Sequence, residues 1–201
     1  MSELCNPCTT VEMPSFSGIY CYVTKNLSSG EIPYIGFAKC DTTFDDILDV
    51  VEWQAKIAAL EVVVLPVGIG SIAEKTEKTV KRIACQNVVT ACEKAFQFNS
   101  LIMDNDTYNE WASYNKIEEL STSIRPFFIT CDNVLLIDPN WVSGSNIGLS
   151  ISKLTVDNLA SGEEDSNYEY VIKGVLTECK TFKRVAITTA ILNAIKPVTL
   201  P

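Results

Sequence analysis

The chain has 201 residues, enough for one domain of ordinary to large size with extended arms. Apolar residues make up 47 % of it, which supplies a sizeable core and excludes a disordered chain. The net charge of −9, from 25 acids against 16 bases, disfavours a free-standing nucleic-acid binder, which needs a basic face for phosphate.

Residues 1–17 carry Pro7 and Pro14 with little periodicity and read as an N-terminal arm. No basic-then-apolar segment opens the chain, so no secretory leader is expected. No apolar run approaches bilayer length, which points to a soluble protein made in the cytoplasm. Residues 18–24 alternate as a first strand, and 27–30 turn it. Residues 32–38 form a short extended piece, with Pro33 arguing for a sheet edge. Asp41 precedes a helix with Asp45 and Asp46 in its first turn. Phe44, Ile47, Leu48, Val51, Ala55 and Ala58 follow at helical spacing as one apolar face, running to about Leu60. Residues 62–65 are a strand closed by Pro66.

Residues 66–78 read as a flexible, Gly-rich and then charged loop. Its Gly68 and Gly70 lack the Gly-Lys-Ser/Thr ending of a phosphate loop and the third glycine of a dinucleotide fingerprint. Residues 79–83 form a basic strand, 85–90 a turn and 94–99 a further strand. Asp104-Asn105-Asp106 caps a second helix carrying Tyr108, Trp111, Ala112, Ile117 and Leu120. The chain is organised around a hairpin of residues 127–130 and 134–137, two apolar runs broken by Cys131-Asp132-Asn133. Beyond it lie a loop at 141–146, a long strand at 147–156 and a polar tip at 159–167. A return strand at 168–177, a last strand at 182–187 and an apolar C-terminal tail complete the chain. This order predicts an α+β, mainly β fold: an antiparallel β-sandwich or barrel with one or two flanking helices and extended arms. Its parts are the arm 1–17, a β-rich domain 18–188 with an assembly loop at 66–78, and the tail 189–201.

There is no histidine, which removes the commonest general base and metal ligand and excludes Ser-His-Asp and Cys-His mechanisms. Of the eight cysteines, at 5, 8, 21, 40, 85, 92, 131 and 179, only Cys5 and Cys8 form a CxxC. Cys85 and Cys92 are spaced too widely to complete a four-cysteine zinc site. The cysteines are therefore expected to be reduced core residues, the alternative being a zinc or redox site at Cys5 and Cys8. No catalytic residue, metal or cofactor is expected. The carboxylates show no spacing that opposes two of them across a cleft, so a glycosidase is unsupported.

Three sets of residues carry a resemblance. They are Trp53-Gln54-Ala55-Lys56-Ile57-Ala58 feeding Gly68-Ile69-Gly70-Ser71-Ile72, the segment Phe127-Phe128-Ile129-Thr130-Cys131-Asp132-Asn133, and the paired strands 148–156 and 168–177. In this pattern residues 18–188 resemble the tail-tube and related virion structural proteins of tailed bacteriophages. The resemblance implies a β-sandwich or barrel with a flanking helix, assembled without catalysis into stacking hexameric rings within a virion. Its partners would be copies of itself and other virion proteins. DNA would pass without specific binding, no membrane would be involved, and the chain would be made in the host cytoplasm. A capsid auxiliary protein and a head–tail connector remain alternatives. So does a non-viral carbohydrate- or protein-binding module stacking ligands on Trp53, Trp111 and Trp141.

The residues point to assembly independently. Apolar Val67, Ile69 and Ile72, with charged Glu74, Lys75 and Lys78, lie in the loop at 66–78 and are the expected inter-subunit contact. Bases cluster at Lys75, Lys78, Lys81 and Arg82 and at Lys180, Lys183 and Arg184. The acids Glu163, Glu164 and Asp165 at the polar tip are the expected lining of an acidic lumen that repels DNA.

Overall fold

The computed structural model describes residues 32–65, 68–73, 77–83, 86–100, 109, 111–112, 123–159, 169–177 and 180–196. Strand alternation builds its two cores. In β1 (Tyr34–Lys39), Ile35 and Phe37 point to one face while Tyr34 and Ala38 point to the other, and all four are buried. The same division runs through β2 (Val62–Val64), β6 (Ile124–Ile129) and β7 (Val134–Ile137), where Val63, Phe128 and Leu136 oppose Val62, Phe127 and Leu135. With β10 (Lys183–Ala186) these strands form an antiparallel five-stranded sheet in the order β10-β7-β6-β1-β2.

The second sheet contains β3 (Gly68–Ile72), β5 (Gln86–Ser100), β9 (Glu169–Leu176) and β8 (Ile151–Leu159) in that order, and β4 (Glu77–Ile83) also pairs with β5. Phe96, Phe98, Leu154, Val156, Tyr170 and Ile172 of this sheet meet Ile35, Phe37 and Phe128 of the first in the inter-sheet core. The other face of the first sheet is covered by two helices, α1 (Val50–Ala58) and α2 (Thr189–Ile195), through Trp53, Ile191, Leu192 and Ile195. The architecture is a mainly β, α+β sandwich with flanking helices, as the order of apolar runs predicts.

The central hairpin forms as expected, with Asn133 at φ 58° in its turn. Several boundaries differ. Residues 34–39 are central rather than an edge, because Pro33 lies just outside the ladder and only its carbonyl is used, accepting from the Gly68 amide. The helix starts at Val50, not after Asp41. The Asp46 and Glu52 carboxylates take the amides of Leu48, Asp45 and Asp46, and Asp49 caps the helix at the Val51 amide. Residues 68–72 of the expected loop form β3, and residues 86–100 form one unbroken strand across the expected turn. The strand expected from Ile147 begins at Ile151, because Ile147 packs in the helix-side core while Leu149 packs between the sheets. Residues 189–195 of the expected tail are helical, capped by Thr188 at the Ile191 amide. The expected arm at 1–17 and strand at 18–24 lie outside the described residues, as does most of the second helix.

Candidate functional site

The long strand β5 leads two lives. Residues Lys94–Ser100 pair with β9, and Phe96–Ser100 also pair with β3, inside the second sheet. Gln86–Glu93 pair with β4 alone among the described strands. That half is a two-stranded arm whose ladder runs from Glu77–Glu93 to Ile83–Gln86, a reach of about 20 Å. Successive residues of a strand point to opposite faces, so a strand packed on a core hides every second one. Lys78, Thr79, Val80, Lys81 and Arg82 are all exposed, so over these five residues neither face of β4 is buried.

Val80 and Val89 face each other across the arm and are 52 % and 46 % exposed. A register shift between Thr79 and Val80 marks a bulge there, which adds twist. Beyond it Arg82 lies on the face of Val80, with Lys81 on the other. The arm thus offers an apolar cross-strand pair set among three exposed cations, Lys78, Lys81 and Arg82, on a chain of net charge −9. At its base Cys92 is buried and disulfide-bonded.

Of the expected interface residues, Ile72 packs against the inter-sheet core and Ile69 is half-buried in β3; Lys78 is exposed on the arm. Val67, Glu74 and Lys75, and the expected lumen residues Glu163, Glu164 and Asp165, lie outside the described residues. The two arm valines were not marked by periodicity, since a basic strand broken by an expected turn hid their pairing.

A second feature lies on the solvent face of the second sheet. Ser71, Gln97, Lys173 and Thr155 stand in register across β3, β5, β9 and β8, and with Lys153 they line an open groove of about 640 Å³. Lys173 lies 3.9 Å from the Asp157 carboxylate, a surface pair of small energetic weight. The one aromatic among its described lining residues is Phe96, whose side chain is buried in the inter-sheet core. Trp53 and Trp111 are fully buried, Trp53 donating its indole N–H to the Ile47 carbonyl at 2.9 Å. Trp141 is half-buried with the Lys183 ammonium 4.7 Å from its ring. The three tryptophans therefore do not make a shared stacking platform.

Among the described residues no three His, Cys, Asp or Glu side chains converge to hold a metal, and no helix is long and apolar enough to cross a membrane. Cys40 and Cys92 are disulfide-bonded, which corrects the expectation of reduced core thiols at these positions. Both are buried as expected, and burial alone cannot distinguish a thiol from a half-cystine. Cys131, half-buried in the β6–β7 turn, keeps its thiol; Cys5, Cys8, Cys21, Cys85 and Cys179 lie outside the described residues. Comparison with protein-family models, curated proteins and solved structures finds no match.

Proposed function

We propose that this chain is a structural, self-assembling subunit without catalysis, of the ring-forming kind found in phage tail tubes. The observation that carries the reading is the β4–β5 arm. A two-stranded hairpin in which residues 78–82 of β4 and Val89 of β5 are all exposed is marginal in water, and exposed apolar strand residues favour association. Docking on a neighbour covers Val80 and Val89 and stiffens the ladder. A sandwich with one projecting arm makes a head-to-tail contact, which closes into a ring when the rotation per subunit divides a full turn.

The net acidity fits a conduit for nucleic acid, because a basic wall would hold phosphate by counterion release. Disulfides at Cys40 and Cys92 fit a particle that spends its life outside the reducing cytoplasm. Light scattering on a size-exclusion column is the test, with negative-stain imaging of any assembly. The expected result is rings that stack; rings that never stack favour a connector, and a closed shell lattice favours a capsid role. Replacing Val80→Lys with Val89→Glu keeps a cross-strand pair while removing the apolar surface, and is expected to leave a folded monomer. A wild-type chain that stays monomeric at all concentrations, or binds duplex DNA tightly at low salt when assembled, overturns the reading.

A further inference from the structure

The outward side of α1 carries no charge where a solvated helix normally does: its exposed residues are Val51, Ala55 and Ala58 with Gln54 at the edge. Val51 is 70 % exposed, Ala55 and Ala58 continue the same side, also exposed, and Leu48, in the turn before the Asp49 cap, is 49 % exposed. The charged residues of the helix, Glu52 and Lys56, lie off this side, half-buried and 3.9 Å apart. These apolar residues belong to the periodic stripe that predicts a buried helix face. The fold instead buries Trp53, with Val50 and Ile57 packed beside it, and leaves Leu48, Val51, Ala55 and Ala58 of the stripe in water. Exposed carboxylates of Asp45, Asp46 and Asp49 rim its N-terminal end.

We infer that this face of α1 is the docking surface for the β4–β5 arm of a second copy of the chain. The two surfaces complement each other in both respects that matter. The arm has an exposed apolar pair, Val80 and Val89, beside Lys78, Lys81 and Arg82; the helix and the turn leading into it have exposed Val51 and Leu48 beside three aspartates. These four side chains, with Val142, are the large apolar residues most exposed among the described residues. Among the described elements β4 packs substantially against β5 alone and not against α1 of its own chain, so an arm on α1 would be that of another copy. Donor and acceptor are different surfaces, so each copy gives one arm and receives one, and the contact propagates from copy to copy. Opposite charges would steer the arm to the helix and set its register, while burial of the apolar residues would hold it there.

The inference rests on the self-assembly reading and is tested separately from it. Val51→Lys places a cation on an exposed position facing the basic arm, and Asp45→Lys removes one rim carboxylate without touching the Asp49 cap. Each is expected to leave the melting temperature of the dilute, unassembled chain unchanged and raise the concentration at half-assembly about tenfold or more. Asp45→Lys combined with Arg82→Glu is expected to recover assembly beyond the sum of the single changes. Zero-length carbodiimide coupling of wild-type protein, mixed from isotopically light and heavy copies, is expected to join Lys81 or Lys78 to Asp45, Asp46 or Asp49 between copies. If wild type assembles and Val80→Lys with Val89→Glu does not, yet both α1 variants assemble normally, the arm docks elsewhere and this inference falls while self-assembly stands. Couplings found only within single copies overturn it as well. A chain that never assembles overturns both.

Discussion

Gly36 sits in the middle of β1, opposite Phe127 of β6, on the face where Tyr34 and Ala38 meet the helices. A Cβ built there falls within 2.7 Å of three atoms of the Phe127 ring, closer than side chains tolerate. The ring cannot simply swing away. Phe127 is fully buried, its centroid is 5.7 Å from that of Trp53, and Trp53 in turn lies 4.6 Å from Phe44. Gly36→Ala must therefore push one ring into a packed row or spread β1 from β6. Overpacking of this kind costs about 1–3 kcal/mol, while the strand regains up to about 1 kcal/mol of glycine entropy. A net loss of about 2 kcal/mol lowers the midpoint of a domain this size by about 4–8 °C. Circular dichroism melts of wild type, Gly36→Ala, Phe127→Leu and the double variant measure it. The double variant is expected to lose clearly less than the two single losses added together. A Gly36→Ala midpoint within experimental error of wild type would refute the packing of the helix-side core described above.

Two further predictions concern local structure. Asp49→Ala removes the cap at the Val51 amide, 2.8 Å away, and is expected to cost about 1 kcal/mol in urea melts of the non-assembling arm variant; an unchanged urea midpoint counts against the cap. Alkylation followed by mass spectrometry is expected to label Cys40 and Cys92 only after reduction, and label at either without reductant removes the disulfide assignment.

Short-range chemistry made part of this protein legible. The β6–β7 hairpin follows from two aromatic and β-branched runs around Asp132-Asn133, because Asn tolerates the left-handed turn that the backbone adopts at φ 58°. Strand β9 follows from Tyr170, Ile172 and Leu176 set against Glu169, Lys173 and Thr177, a period-two pattern, although Val171 between them is buried as well. The C-terminal helix left a signal in Thr188 and the spacing of Ile191, Leu192 and Ile195, which the expectation of an apolar tail passed over.

What the sequence could not reveal depends on partners distant along the chain. A basic stretch from Glu77 and the residues following Ile83 look like a strand and a turn; only pairing of β4 with β5 makes them a projecting arm. Part of the loop expected at 66–78 is sheet for the same reason, because pairing with β5 makes Gly68–Ile72 a strand and packs Ile72 against the inter-sheet core. The helix illustrates the limit most clearly. Periodicity placed Phe44, Ile47, Leu48, Val51, Ala55 and Ala58 on one side of a helix, though the helix begins only at Val50, and it equated an apolar side with a buried one. Which side of a helix faces the sheet is decided by the largest shape that must be accommodated. Trp53 fills the space above Phe127 and donates to Ile47, and that turns Val51 out to solvent.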